Sequence, residues 1–127
     1  MEFKNGVVRS GEVFYNGKWI TSEWTFKLKE GLKICNAISK NVTGKPIFIT
    51  CGIGRLHSKT SRHPYGEAAD LRTSIYTDEQ KKILFDLWFE ALNPHFKKYG
   101  KKEYVLIHEA KGTPNEHYHL RAIKHIV

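Results

Sequence analysis

The sequence is poor in sulfur and in proline: two cysteines, one methionine and four prolines in 127 residues. Two cysteines cannot build a disulfide framework, and neither Cys35 nor Cys51 stands in a CxxC or other zinc-type spacing. Both read as buried thiols behaving as small apolar residues. A disulfide between them is not expected in a reducing compartment. No apolar run is long enough to cross a bilayer, so no membrane insertion is expected. The opening residues, Met1-Glu2-Phe3-Lys4-Asn5-Gly6, lack the basic-then-apolar order of a secretory signal, and the chain is expected to be cytoplasmic as synthesised. Repeats, linkers and low-complexity segments are missing too, and the length suits a single domain over 1–127.

Charge is unbalanced. Twenty-one Lys and Arg against thirteen Asp and Glu leave a formal net charge of +8. An anionic partner fits this: nucleic acid, a membrane surface, or an anionic polymer such as a bacterial cell wall. The lysines are dispersed, with pairs at Lys81-Lys82, Lys97-Lys98 and Lys101-Lys102, and no long basic tract or RNA-binding signature is present. Nucleic-acid binding therefore rests on charge alone, and a solvated positive face explains the charge equally well.

Two Asn-Gly pairs, Asn5-Gly6 and Asn16-Gly17, are strong hairpin-turn signals, and residues 1–20 read as a β-meander. Thr21 or Ser22 can cap a helix to about Lys40, with Trp24, Leu28, Leu32, Cys35 and Ile38 as its apolar stripe and Gly31 as a weak point. Pro46 to Cys51 reads as a buried strand, followed by a polar loop through Arg55 and His57. Gly66 to Arg72 reads as a strand. Thr77-Asp78-Glu79-Gln80 is a capping box that starts a second helix, with Leu84, Leu87, Trp88 and Ala91 as its buried face and Asn93-Pro94 as its end. A further turn runs from His95 to Gly100. Glu103 to His108 and His117 to Ala122 are the last strands. The class is α+β, a mostly antiparallel sheet with two main helices packed on one face, and residues 46–122 form the motif-bearing core.

Chemistry concentrates in two segments. Ser61-Arg62-His63-Pro64-Tyr65-Gly66-Glu67-Ala68-Ala69-Asp70 places a histidine and an aspartate seven residues apart, with small residues between them. Glu116-His117-Tyr118-His119 adds a carboxylate and two imidazoles. On extended strands Gly66, Ala68 and Asp70 share a face, as do His117 and His119. Pairing the two strands would gather histidines and an aspartate, donors that suit zinc. Four candidates are present and a catalytic zinc takes three, so one histidine stands behind the others. A carboxylate must also accept the proton of the attacking water. Glu116 is the choice, although alternation turns it away from His119 unless it sits in the loop or at a bulge; Glu109 is the reserve. His57, His95, His108 and His125 carry no motif and read as structural. Tyr65 and Tyr118 suit a cleft wall or ordinary packing equally.

Ser-x-His-x-x-Gly-x-Ala-x-Asp followed by Glu-x-x-His with His-x-His resembles the LAS group of zinc peptidases. That group holds D-alanyl-D-alanine carboxypeptidases and dipeptidases, phage endolysin peptidases and the N-terminal domain of sonic hedgehog. Ser61, His63, Gly66, Ala68 and Asp70 all match with their spacing, and the likeness runs from about Phe48 to Arg121. The resemblance implies a hedgehog/DD-peptidase-like fold. It implies one zinc per chain on His63, Asp70 and His119, with Glu116 as base and His117 steadying the transition state. The implied reaction is hydrolysis of an amide bond in peptidoglycan stem peptides. Release by lysis or a holin-type pore, or packaging in a virion, would bring such an enzyme to the wall. One departure stands out. The family's Ser-Gly-x-Arg is here Cys51-Gly52-Ile53-Gly54-Arg55, with the arginine one residue late. Arg55 is either the substrate or oxyanion contact from a shifted loop, the favoured reading, or a plain surface charge. The alternative function is a zinc-bearing binding or virion structural module of the same fold with no hydrolytic role.

Overall fold

The computed structural model describes residues 1–15, 17–53 and 61–124. Elements run in the order β1 (Glu2–Phe3), β2 (Ser10–Tyr15), β3 (Lys18–Glu23), α1 (Phe26–Thr43) and β4 (Phe48–Cys51), then a 3₁₀ turn at His63–Tyr65. They continue with β5 (Ala68–Arg72), α2 (Asp78–Leu92), α3 (Phe96–Tyr99), β6 (Tyr104–Glu109) and β7 (His117–Ala122). The main sheet has the order β1-β4-β5-β7-β6, antiparallel except for the short β1–β4 pair, and β2–β3 form a separate hairpin. The class is α+β, as expected. Among the described residues no helix is long and apolar enough to cross a membrane.

The expected meander over residues 1–20 is not formed. β1 lies parallel to β4, with Glu2 opposite Phe48 and Phe3 opposite Ile49. Asn5-Gly6 still turns the chain, with Gly6 at φ +86°, but the turn leads away from β1 instead of folding a strand back on it. The Val8 carbonyl accepts from Ile53 N–H and the Arg9 carbonyl from Trp24 N–H, which holds this segment to the main body. Asn16 lies outside the described residues; Gly17 after it has φ +80°.

Helix α1 starts later than expected. Thr21 and Ser22 pair with Glu12 and Gly11 in the hairpin, so neither can cap. Thr25 does so instead, its Oγ1 accepting from Leu28 N–H at 3.2 Å. Leu28, Leu32 and Cys35 are fully buried, and Trp24 reaches the same core from the segment before the helix. Gly31 is no weak point here. A Cβ on it would lie 2.6 Å from Tyr104 Cε1, so the missing side chain is what lets β6 pack its tyrosine on α1.

The capping box of α2 forms as read, with Thr77 and Gln80 exchanging side-chain-to-backbone bonds. Its buried face is Leu84, Trp88 and Leu92, with Phe85 and Phe89 beside them. Leu87 and Ala91, expected inside, are exposed. The rotation lets the indole N–H of Trp88 donate to the Cys35 carbonyl at 3.0 Å and the Lys81 carbonyl accept from the Tyr118 hydroxyl. Asn93 ends the helix, and its side-chain oxygen accepts from the backbone of Glu103 and Tyr104.

Both helices cover one face of the sheet, against Ala69, Leu71, Leu106, Tyr118 and Leu120. The other face carries Asp70, Arg72, Glu109, His117 and His119, as the two-residue alternation of strands requires.

Gly66 closes the turn that presents His63. It has φ +73°, and a Cβ there would lie 1.7 Å from the Glu23 carbonyl oxygen. Gly66→Ala should cost at least ~1–2 kcal/mol from the left-handed conformation alone, with the backbone clash in addition. A lowered midpoint of thermal unfolding by circular dichroism would show it; an unchanged midpoint would refute the close packing of this turn on β3.

Candidate metal centre

Asp70 is the middle of a cross-strand row. Cys51 stands opposite it on β4 and His119 opposite it on β7. His63 comes in from the 3₁₀ turn. Ser61 Oγ accepts from His63 N–H at 3.2 Å, and Gly66 N–H closes back on the His63 carbonyl at 3.0 Å, which gives two of the motif positions a mechanical role. Gly66 itself belongs to this turn and not to the strand, which begins at Ala68.

One oxygen of Asp70, Oδ1, meets His119 Nδ1 at 3.0 Å and His63 Nε2 at 3.2 Å. His117 Nε2 lies 4.0 Å from Oδ2. The His63 and His119 rings sit edge to face with centroids 5.0 Å apart. Burial by itself would raise the Asp70 carboxyl. The hydrogen bonds with His119 and His63, and the positive charge of His63 and His117, outweigh it and hold the group well below the usual carboxylate range.

The protonation pattern can be read from the acceptors. His63 Nδ1 bonds the Gly52 carbonyl at 3.2 Å, and a carbonyl only accepts, so Nδ1 carries the proton. In the neutral ring Nε2 then presents a lone pair to a carboxylate oxygen that also only accepts. Two acceptors 3.2 Å apart repel unless a proton or a cation stands between them. A ligating histidine characteristically donates its other N–H to a carbonyl or carboxylate. The residues present therefore fit a metal ion.

Cys51 belongs to the same group, which its spacing in the sequence did not signal. Its sulfur and donor atoms of His63 and Asp70 all lie within 4.8 Å of one another, a set able to hold one metal ion; His119, expected as the third ligand, reaches Asp70 but is not in that set. Cys35, by contrast, is sealed in the core of α1, where burial pushes its thiol far up.

Glu116 lies in the loop just before β7, but its side chain goes to the helix side. Lys81 Nζ donates to Oε1 at 2.9 Å, and His108 Nε2 makes a short contact with Oε2. The Lys81 bond, more than any other influence, pulls the Glu116 carboxyl below its ordinary value and raises Lys81 in turn. His108, which carries no motif, lies against the Tyr118 ring at a tilt of 43° and completes this cluster. Tyr118 itself is core, fully buried, with its hydroxyl donating to the Lys81 carbonyl. Glu109 remains on the Asp70 face, with Oε2 3.7 Å from His117 Nε2. The other ring nitrogen of His117 donates to the Asn115 carbonyl at 2.7 Å.

An open cleft of about 600 Å³ runs past Asp70, Arg72, Thr73, Asn115, Glu116 and His117. Arg72 was not singled out in the sequence, though it lies two residues past Asp70 on the same face; its guanidinium rests 4.0 Å above the Phe48 ring. Arg55, His57 and His125 lie outside the described residues. A second cleft of similar size, walled by Lys81, Lys82, Phe85, Asp86, His108 and Lys111, opens on the opposite side of Glu116.

Compared with protein-family models, with curated proteins and with solved structures, the chain matches none.

The Glu116 cluster makes a pH prediction. A carboxyl held below its unfolded value of 4.5 contributes stability that is complete above that value and lost as pH falls through the folded one. Its titratable neighbours are Lys81 and His108, with Asp78 behind Lys81. Lys81→Met should therefore narrow the stability difference between pH 7 and pH 3. Urea unfolding at the two pH values measures this, and an unchanged difference would show the pair to be energetically idle.

Proposed function

We propose that the protein is a zinc-dependent peptidase acting on an amide bond of bacterial peptidoglycan stem peptides, with His63, Asp70 and His119 holding the ion. The observation that carries the reading is the convergence of two imidazole nitrogens on one oxygen of Asp70. The resemblance of the two motifs to LAS peptidases supports it, and the net charge of +8 suits an anionic wall polymer. Bound zinc would lower the pKa of a water to make a nucleophile at neutral pH and polarise the scissile carbonyl. The chain's own groups do the rest. His117, fixed through Nδ1 by the Asn115 carbonyl, presents Nε2 to the cleft, where it can hold a proton or a developing negative charge. Arg72 supplies a cation on the cleft wall for a substrate carboxylate. The resemblance assigns the proton acceptor to Glu116. A carboxylate engaged at both oxygens and held acidic is a weak base, so in this role Glu116 has to exchange Lys81 and His108 for the cleft. Glu109 already faces His117.

A second reading is a metal-bearing binding module without hydrolysis. Glu116's engagement away from Asp70 favours it.

The test combines metal content with digestion. His63→Ala and Asp70→Ala should each drop bound zinc from one per chain to a small fraction, by elemental analysis of folded protein; full zinc in both would sink the ligand assignment. Zinc-loaded wild type should release new amine and carboxyl ends from purified peptidoglycan, read by mass spectrometry, and chelation should stop it. Glu116→Gln should keep its zinc and slow the release by about 10²–10⁴-fold. The same loss in Glu109→Gln alone moves the base to Glu109. Full zinc with no products across several wall types favours the binding module.

A further inference from the structure

We propose that Cys51 is a fourth protein donor to the ion at Asp70, closing its coordination and acting as a brake on the hydrolysis proposed above. The inference rests on that metal reading and adds to it a residue that the motif does not contain.

The argument begins with the register of β4. Ile49 pairs with Leu71, and both are buried in the core. Continued without interruption, antiparallel pairing would set Cys51 opposite Ala69, another core residue, and the thiol would point at the helices. The ladder shifts between Ile49 and Cys51, and Cys51 lies opposite Asp70 instead. A bulge of this kind re-aims one side chain to the other face of a sheet. The re-aimed residue here is a cysteine, and what it meets is an imidazole and a carboxylate, with all three donor atoms within 4.8 Å. The next residue, Gly52, supplies the carbonyl that orients His63. One short segment thus both sets the tautomer of a ligand and presents a sulfur to the same point.

Donor number gives the consequence. Zinc bound by four protein groups is a closed, structural arrangement, whereas a catalytic zinc keeps one position for water. Cys51, His63 and Asp70 are clustered within 4.8 Å, and His119, 3.0 Å from Asp70 Oδ1, would make the fourth. Cys51 would bind as a thiolate, its proton released to solvent, and a fourth protein donor would leave no open position for water. Hydrolysis then requires Cys51 to yield that position.

Cobalt(II) is the probe, added to the full chain in place of zinc. The expected result is one ion per chain with a thiolate-to-cobalt charge-transfer absorption in the near ultraviolet. That band should survive in Cys35→Ala and vanish in Cys51→Ser. Cobalt affinity in Cys51→Ser should fall by at least about tenfold, since even the loss of a group that only supports a ligand costs that much. X-ray absorption on zinc-loaded wild type needs no variant, and should show one sulfur at about 2.3 Å. Stoichiometric binding with no sulfur in either spectrum overturns the proposal and leaves the His63–Asp70–His119 site standing. Failure of the wild type to bind cobalt or zinc at all overturns both.

Discussion

A carboxylate oxygen with an imidazole nitrogen at 3.0 Å and another at 3.2 Å is the contact on which the functional face depends. Neither histidine is held there by Asp70 alone. His119 is fixed by its place on β7, opposite Asp70 across the ladder. His63 is fixed by a turn whose backbone is tied to Ser61 on one side and, through Gly66, to Thr25 on the other. The site is thus supported by rigid elements and by a turn with no room for a side chain at Gly66. Donors fixed in advance in this way would reduce the ordering cost that binding an ion has to overcome.

The sheet separates two polar systems by the alternation of its strands. His117 and His119 project to the Asp70 face. Tyr118 between them, and the Glu116–His108–Lys81 cluster, belong to the helix side. Paired charges shielded from water gain little net stability, but removing one partner leaves the other uncompensated. Glu116 is accordingly tied to α2 by a constraint that any movement into the cleft has to break, and this sets it apart from the side chains gathered at Asp70.

How much was legible depended on how local each feature is. The capping box at Thr77 was read correctly because its two bonds connect residues three apart. The strands carrying Asp70 and His119 were legible from residue pattern, while their pairing was supposed from the donors it would gather, and the structure does pair them. The Asn5-Gly6 turn was legible as a turn, but not its destination, since the partner of β1 lies some forty-five residues away on β4. The start of α1 was misplaced because hairpin pairing took Thr21 and Ser22 as strand residues. Leu87 and Ala91 fit the helical period as well as Leu92 does, and tertiary contacts such as the bonds from Trp88 to the Cys35 carbonyl and from Tyr118 to the Lys81 carbonyl select between the two azimuths.

By itself the sequence determined the donor types and their spacing: imidazole and carboxylate in one segment, two imidazoles in another, on strands whose alternation sends His117 and His119 to one side. Local stereochemistry suffices for that. The tertiary structure decided where Glu116 and Cys51 point. Glu116 answers to Lys81 on α2 and His108 on β6, partners set by packing. Cys51 shares the parity of the core residue Ile49, and only the register shift against β5 carries it to Asp70. A bulge is a property of two paired strands, so no reading of one strand reveals it.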